Sequence, residues 1–254
     1  MFAGTSRFLL ILLFINFHLL KNPYRLVFLL LETPKEAQLE DTFRHKGLRK
    51  KLVDEIRSKG ISDEHVLHAM NNVPRHLFMD NSFVGFAYVD KAFPISSGQT
   101  ISQPYTVAFQ TEALQIKKTD RVLEVGTGSG YQAAVLCEMG VSLFTIERQR
   151  SLYDFASVLL PKLGYHPQFF YGDGYLGLPT YGPFDKIIVT AGADSVPPKL
   201  KEQLIVGGRM VIPVGNRQHQ VMKIIVRTKE NEYSEQEAGN FVFVPMLPGT
   251  ADQK

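Results

Sequence analysis

Cysteine is nearly absent: Cys137 stands alone in 254 residues. A single thiol excludes an intrachain disulfide and any multi-cysteine zinc site. Cys137 lies in an apolar helical run, which reads as core packing rather than as a reactive thiol. An excess of one charge is also missing. Lysine and arginine number 28 against 25 acids, a formal net charge of +3, and no Lys/Arg run stands out. A nucleic-acid footprint is therefore not expected. The histidines are scattered; His65 and His68 share a helix face but have no third ligand nearby, so they read as a solvated face and no metal is expected. No repeat or low-complexity tract follows Leu31. No apolar run reaches the about 20 residues of an ordinary membrane span.

What is present begins with an unusual head. Phe8 to Leu20 is apolar apart from Asn16 and His18, and Lys21, Pro23 and Arg25 separate it from a second run, Leu26 to Leu31. The first run has the length of a secretory h-region behind Arg7, yet no small-x-small cleavage site follows. Residues 1–32 are read as an extension: a membrane anchor, a hydrophobic arm packed on the domain, or a start codon placed too early. The last two are preferred, and contact with a membrane is left open.

Beyond the head, Leu39 to Lys59 predicts a helix with Leu48, Leu52, Val53 and Ile56 apolar, and Ser62-Asp63-Glu64 opens a second helix. Ala87 to Ser102 has no period and reads as a long ordered loop. Ser102-Gln103-Pro104 starts a helix to about Leu114, with serine at the N-cap and proline in the first turn. The chain then alternates. Strands are predicted over Arg121 to Val125, Ser142 to Ile146, Gln168 to Tyr171, Lys186 to Thr190 and Arg209 to Pro213. Helices are predicted over Tyr131 to Met139, Leu152 to Leu163 and Pro198 to Leu204. Met222 to Arg227 and Phe241 to Val244 add two antiparallel strands. This alternation predicts an α/β fold, a mostly parallel, doubly wound Rossmann-like sheet behind an N-terminal helical cap.

The segment RVLEVGTGSGY, Arg121 to Tyr131, carries the most chemistry. A hydrophobic strand ends at Val125; Gly126, Gly128 and Gly130 follow, with Thr127 and Ser129 between them, and a helix begins at once. Glycines let such a turn approach a nucleotide closely. By itself the pattern is also met in ligand-free strand–helix turns. The second predicted strand leads into Glu147, about 20 residues after Gly126, where an acid accepts both ribose hydroxyls. Gly172-Asp173-Gly174 follows the third strand, and the Asp173 carboxylate is expected to receive an adenine amine, although Asp-Gly is also a common turn. These features alone leave a nicotinamide dehydrogenase open. Glu124, just before the turn, favours S-adenosylmethionine, because a pyrophosphate needs a helix N-terminus clear of acid.

Several segments together resemble the bacterial branch of the protein-L-isoaspartate O-methyltransferase family. They are VPRHLF (Val73 to Phe78), AYVDKAFPI (Ala87 to Ile95), GQTISQPY (Gly98 to Tyr105), VLEVGTGSGYQAAVL (Val122 to Leu136), GDG (Gly172 to Gly174), FDKIIVTAG (Phe184 to Gly192), QLIVGGRMVIPVG (Gln203 to Gly215) and FVPM (Phe243 to Met246). The resemblance runs from about Leu48 to Leu247. GQTISQP beside LEVGTGSGYQ is highly specific; methyltransferases in general share only the second. Ser96 stands where the family usually has glycine, and Gly192 where alanine is common.

The resemblance implies S-adenosylmethionine as cofactor, bound by Glu124, Gly126, Thr127, Gly128, Ser129, Gly130, Glu147, Asp173 and Gly174, with Ser102 as the active-site residue. It implies methylation of isoaspartyl carboxylates in damaged proteins and peptides, the first step of their repair. The alternative is a methyltransferase for another carboxylate or small-molecule acceptor; a non-catalytic binding module is disfavoured by the intact Ser102 segment. Residues 33–254 are read as one methyltransferase domain: cap and substrate loop over 33–100, cofactor core over 101–215, C-terminal strands over 216–254. A monomer in the cytoplasm is expected, with membrane association through residues 8–31 as the other option.

Overall fold

The computed structural model describes residues 40–252. The expectations for the hydrophobic head, residues 8–31, lie outside the described residues. Phe43–Lys254 forms one compact unit, distinct from Met1–Thr42. Residues 40–42 are not helical, so helix α1 spans Phe43–Ser58. Leu52, Val53 and Ile56 turn inward at helical spacing. Helix α2 (Glu64–Asn72) is capped by Asp63, whose Oδ1 accepts from the His65 N–H at 2.8 Å.

The expected loop after Ala87 contains a small hairpin. β1 (Phe93–Pro94) pairs antiparallel with β2 (Thr100–Ile101) around a turn where Ser97 takes φ 57°. Two-residue strands leave no period to read in a sequence. Helix α3 spans Pro104–Leu114, but Ser102 is not its cap. Gln103 occupies the N-cap position and makes no capping bond. The Tyr105 N–H donates instead to Asp90 Oδ1 at 2.7 Å, so a carboxylate from the preceding loop stabilises the helix start.

Among the described residues the sheet has seven strands in the order β5-β4-β3-β6-β7-β8-β9. They are β3 (Arg121–Val125), β4 (Ser142–Glu147), β5 (Gln168–Tyr171), β6 (Phe184–Val189), β7 (Leu204–Gly215), β8 (Gln220–Lys229) and β9 (Glu232–Phe241). Pairings from β5 through β7 are parallel, and those of β7 with β8 and β8 with β9 are antiparallel. Helices α4 (Tyr131–Glu138), α5 (Arg150–Lys162) and α6 (Pro198–Glu202) connect the parallel strands. Pro161 sits in the last turn of α5, and the helix ends one residue on.

Side chains alternate across the sheet with period two. Val122, Ile188 and Val211 pack with α1 to α5, while Leu123, Val125, Ile187, Val189 and Ile212 pack on the other face with Phe184 and Leu200. Two departures stand out. β7 starts at Leu204, five residues before the expected Arg209, and runs through Gly207-Gly208. The last strand is Glu232–Phe241 rather than Phe241 to Val244. β9 is polar and mostly exposed, so it shows no apolar alternation. Among the described residues no helix is long and apolar enough to cross a membrane.

Candidate active site

The carboxyl ends of β3, β4 and β6 open onto a cavity, the usual place for a ligand in an open α/β sheet. Its floor is the turn from Gly126 to Gly130. Gly126 has φ 100°, and a Cβ there would stand 2.5 Å from Thr190 Oγ1. Only glycine allows that approach. The Thr190 hydroxyl lies 2.6 Å from Gly126 O and 3.0 Å from Val125 O, so its proton ties the turn to the end of β6.

Glu147 ends β4 and reaches the cavity while only 5% exposed. Its Oε2 accepts the Gly128 N–H and its Oε1 the Gln149 N–H, each at 2.8 Å. One carboxylate thus braces both turns, and each oxygen keeps a lone pair for a ligand hydroxyl. Thr127 and Ser129 also line the cavity. The Thr127 hydroxyl lies 2.6 Å from Thr145 Oγ1, which donates to Glu124 Oε2 at 2.5 Å.

Three expected residues stand behind the wall. Glu124 is fully buried on β3, where desolvation pushes its carboxyl up to about 8; the Thr145 bond opposes that shift and the nearby Glu147 adds to it. It is therefore largely neutral at pH 7, and Glu147 supplies the charge at the turn. The preference for a sulfonium over a pyrophosphate, drawn from Glu124, has no charged group to rest on. Gly130 faces Leu160 and Ala156, where a Cβ would crowd helix α5 at 3.1 Å. Asp173 does not line the cavity; its Oδ1 accepts the Tyr175 N–H at 2.9 Å and its Oδ2 the Gly249 N–H at 2.8 Å. Its neighbour Gly174 does line the cavity, and a Cβ there would meet Val125 Cγ1 at 2.5 Å.

The opposite wall comes from the hairpin and the start of α3: Gln99, Thr100, Ile101, Ser102 and Val107. Ser102 is half-buried and makes no hydrogen bond within the described residues, so its hydroxyl is available. The segment that carries it is fixed from behind. Asp90, with a side chain 3% exposed, accepts from Tyr105 N–H, from Gln103 Nε2 at 3.0 Å and from Lys59 Nζ at 2.7 Å. Phe243 is held by Gln220, whose Oε1 accepts its N–H at 2.7 Å, and Val244 to Leu247 then close one side of the cavity. The burial of Cys137 pushes its thiol up to about 12, which keeps it protonated and inert.

Sequence reasoning did not single out Gln132, Thr190, Gln149, Asp90 or Val244 to Met246. All but Gln149 lie inside segments that carry the family resemblance, and Thr190 follows a parallel strand directly. The role of Asp90 depends on partners, Lys59, Gln103 and Tyr105, that no local pattern connects to it.

A parallel sheet with a glycine turn after β3 and an acid ending β4 defines the class: the Rossmann-like fold of S-adenosylmethionine-dependent methyltransferases. The family described as protein-L-isoaspartate(D-aspartate) O-methyltransferase matches residues 47–251. The chain belongs to that family. It is 58% identical over 210 residues to the protein-L-isoaspartate O-methyltransferase of Christiangramia forsetii, covering 82% of this chain and 98% of that one. The Flavobacterium psychrophilum relative of the same name is 54% identical over the same shares. A solved protein-L-isoaspartate O-methyltransferase superposes with a TM-score of 0.71 at 30% identity, over 78% of this chain and 65% of that one. A Plasmodium falciparum structure in complex with S-adenosyl-L-homocysteine shares the fold, with a TM-score of 0.69 at 24% identity, 78% of this chain and 98% of that one.

Proposed function

We propose that the chain transfers a methyl group from S-adenosylmethionine to the carboxylate of L-isoaspartyl residues in damaged proteins. The observation that carries the reading is one cavity with the Ser102 hydroxyl on one wall and the glycine turn with Glu147 on the other. The residues fit the cofactor. Glu147 keeps two lone pairs for ribose hydroxyls, Gly174 brings bare backbone to the lining where a Cβ would strike Val125, and Ile146, Leu152 and Met246 offer apolar surface to a base. Gly126 to Ser129 cradle its middle. Glu124 and Gly130 support that cradle from behind, and Asp173 fixes the chain beside the adenine end.

Bound S-adenosylmethionine supplies a methyl group carried on a sulfonium. The protein's part is alignment and the exclusion of water. An isoaspartyl carboxyl, with an ordinary pKa of about 4, is already ionised at neutral pH and needs no general base. Ser102 donates to one carboxylate oxygen and leaves the other directed at the methyl. The β1–β2 hairpin and Val244 to Leu247 flank the site and strip solvent from the nucleophile. In the methyl ester, methanol is a better leaving group than water from the free acid. The neighbouring backbone nitrogen then closes a succinimide, whose hydrolysis returns some normal aspartate. A monomer suffices for this chemistry, since one chain supplies all these groups. It works in the cytoplasm, where S-adenosylmethionine and ageing proteins occur together; carbonate-resistant recovery of the native chain in membranes would overturn that location.

The test pairs an isoaspartyl peptide with its aspartyl twin and labelled cofactor. Base-labile methyl ester is expected on the first alone. Label on neither, or equal label on both, rejects the assignment.

A further inference from the structure

Gln132 is the second residue of α4, lines the cavity and is only 6% exposed. Its amide is held in one orientation. Nε2 donates to Thr111 Oγ1 at 3.0 Å. The Thr111 hydroxyl gives its single proton to Val107 O at 2.7 Å, so Thr111 can only accept from Gln132 and the amide cannot turn round. The carbonyl arm, Oε1, is thereby fixed as an acceptor, and it is buried with no partner. A buried acceptor without a donor is costly to keep. In a cavity wall it is a place prepared for a donor that arrives with a ligand.

The chemistry of the reactants narrows that donor. A carboxylate brings only acceptors, so neither the isoaspartyl side chain nor the cofactor's own carboxylate suits Oε1. With the ribose hydroxyls on Glu147 and the adenine amine at the Gly174 end, two N–H donors remain: the α-ammonium of the cofactor's methionyl tail, or a backbone amide of the peptide. The order of the sheet chooses between them. Gly174 follows β5 and Glu147 ends β4, so a nucleoside held there directs its tail across β3 towards β6. Gln132 bonds to Thr111 on α3, the helix that packs on β6 and β7, and Thr190 follows β6, so both lining residues belong to that side of the cavity. Glu147 is also the only carboxylate among the described lining residues, and the ribose engages it. An ammonium further along must therefore be met by neutral oxygens.

We propose that Gln132 Oε1 receives the α-ammonium of S-adenosylmethionine. The inference rests on the cofactor assignment above. It makes Gln132 the residue that tells the full cofactor from nucleosides without the amino-acid tail.

The test is calorimetry on the full chain with two ligands. S-adenosylhomocysteine keeps the ammonium, and 5′-methylthioadenosine lacks the tail. Gln132→Leu is expected to weaken S-adenosylhomocysteine about tenfold to a hundredfold, the scale of one hydrogen bond to a charged group, and to leave 5′-methylthioadenosine within threefold of wild type. Should the leucine variant fail to fold, Gln132→Met keeps the length and carries the same expectation. Equal loss for both ligands, or no loss for either, overturns the proposal. So does unchanged S-adenosylhomocysteine binding with a raised KM for the peptide, which would give Oε1 to a peptide N–H. Failure of the wild type to bind S-adenosylhomocysteine would instead bring down the cofactor assignment, and this inference with it.

Discussion

Replacing Glu147 separates the two tasks of one carboxylate. In the folded chain it accepts two backbone N–H groups, from Gly128 and Gln149, at 2.8 Å each. Its remaining lone pairs are assigned to the ribose. Glu147→Ala removes all of this in a site that is 5% exposed, where water does not freely replace the lost partner. Hydrogen bonds to a charged group contribute about 1.5–3 kcal/mol each; allowing for partial compensation, losing the ribose pair costs about 2–4 kcal/mol. That is a rise in Kd of roughly 30- to 1,000-fold. The ribose is common to both ligands, so S-adenosylhomocysteine and 5′-methylthioadenosine should weaken by the same factor, unlike the split expected at Gln132. Melting of the ligand-free variant should also fall, because two turn N–H groups lose their acceptor. Glu147→Gln keeps one acceptor oxygen and should lie between wild type and alanine in both measurements. Calorimetry gives Kd and a thermal melt gives the fold. A folded alanine variant that binds S-adenosylhomocysteine with wild-type affinity would refute the ribose assignment.

Ser102→Ala should lower kcat about 10- to 100-fold with little change in S-adenosylhomocysteine affinity. Because Ser102 caps no helix, its melting temperature should stay near wild type; full turnover in the folded variant would show that the hydroxyl takes no part. Gly174→Ala should destabilise the fold by about 1–3 kcal/mol through overpacking and weaken cofactor binding with it, since the new Cβ meets Val125 Cγ1 at 2.5 Å; an unchanged melt contradicts the packing described. Glu124 titrates near 8 when folded and at an ordinary carboxyl value when unfolded. Its native form binds the extra proton between those values, so stability is fully present below the unfolded pKa and is lost as pH rises through about 8. The loss reaches at most about 1.4 kcal/mol per pH unit. Glu124→Gln should flatten this slope between pH 5 and 8 in denaturant melts, and an unchanged slope would show that Glu124 is not its source.

The parallel centre of the fold was legible because its strands are short apolar runs, three of them closed by Gly126, Glu147 and Gly172. Val122 to Gly130 announces strand, turn and helix in nine letters. Glu147 was legible for the same reason: its position in the alternation and its distance from Gly126 are both sequence properties. Asp173 lies in the right loop, yet the carboxylate folds back onto Tyr175 and Gly249 N–H groups, and Gly249 is remote in sequence. Ser102 was found through its motif, but its capping role was misjudged. The cap is Asp90, and only the folded loop brings it to Tyr105. Glu124 illustrates a further limit: its place in the motif was visible, while its protonation depends on burial that no local pattern encodes.

The polarity that hid β9 has a consequence for how the molecule meets its substrates. Glu232, Glu235 and Glu237 lie exposed along this terminal strand. An open strand edge with apolar side chains would pair with any extended polypeptide nearby. A repair enzyme works among aged chains, some of them partly unfolded and rich in such segments. This charged border, in which Glu232 pairs with Lys229 and Glu235 with Lys223, makes backbone pairing there unfavourable. Damaged proteins can then engage the cavity without nucleating aggregates on the sheet itself.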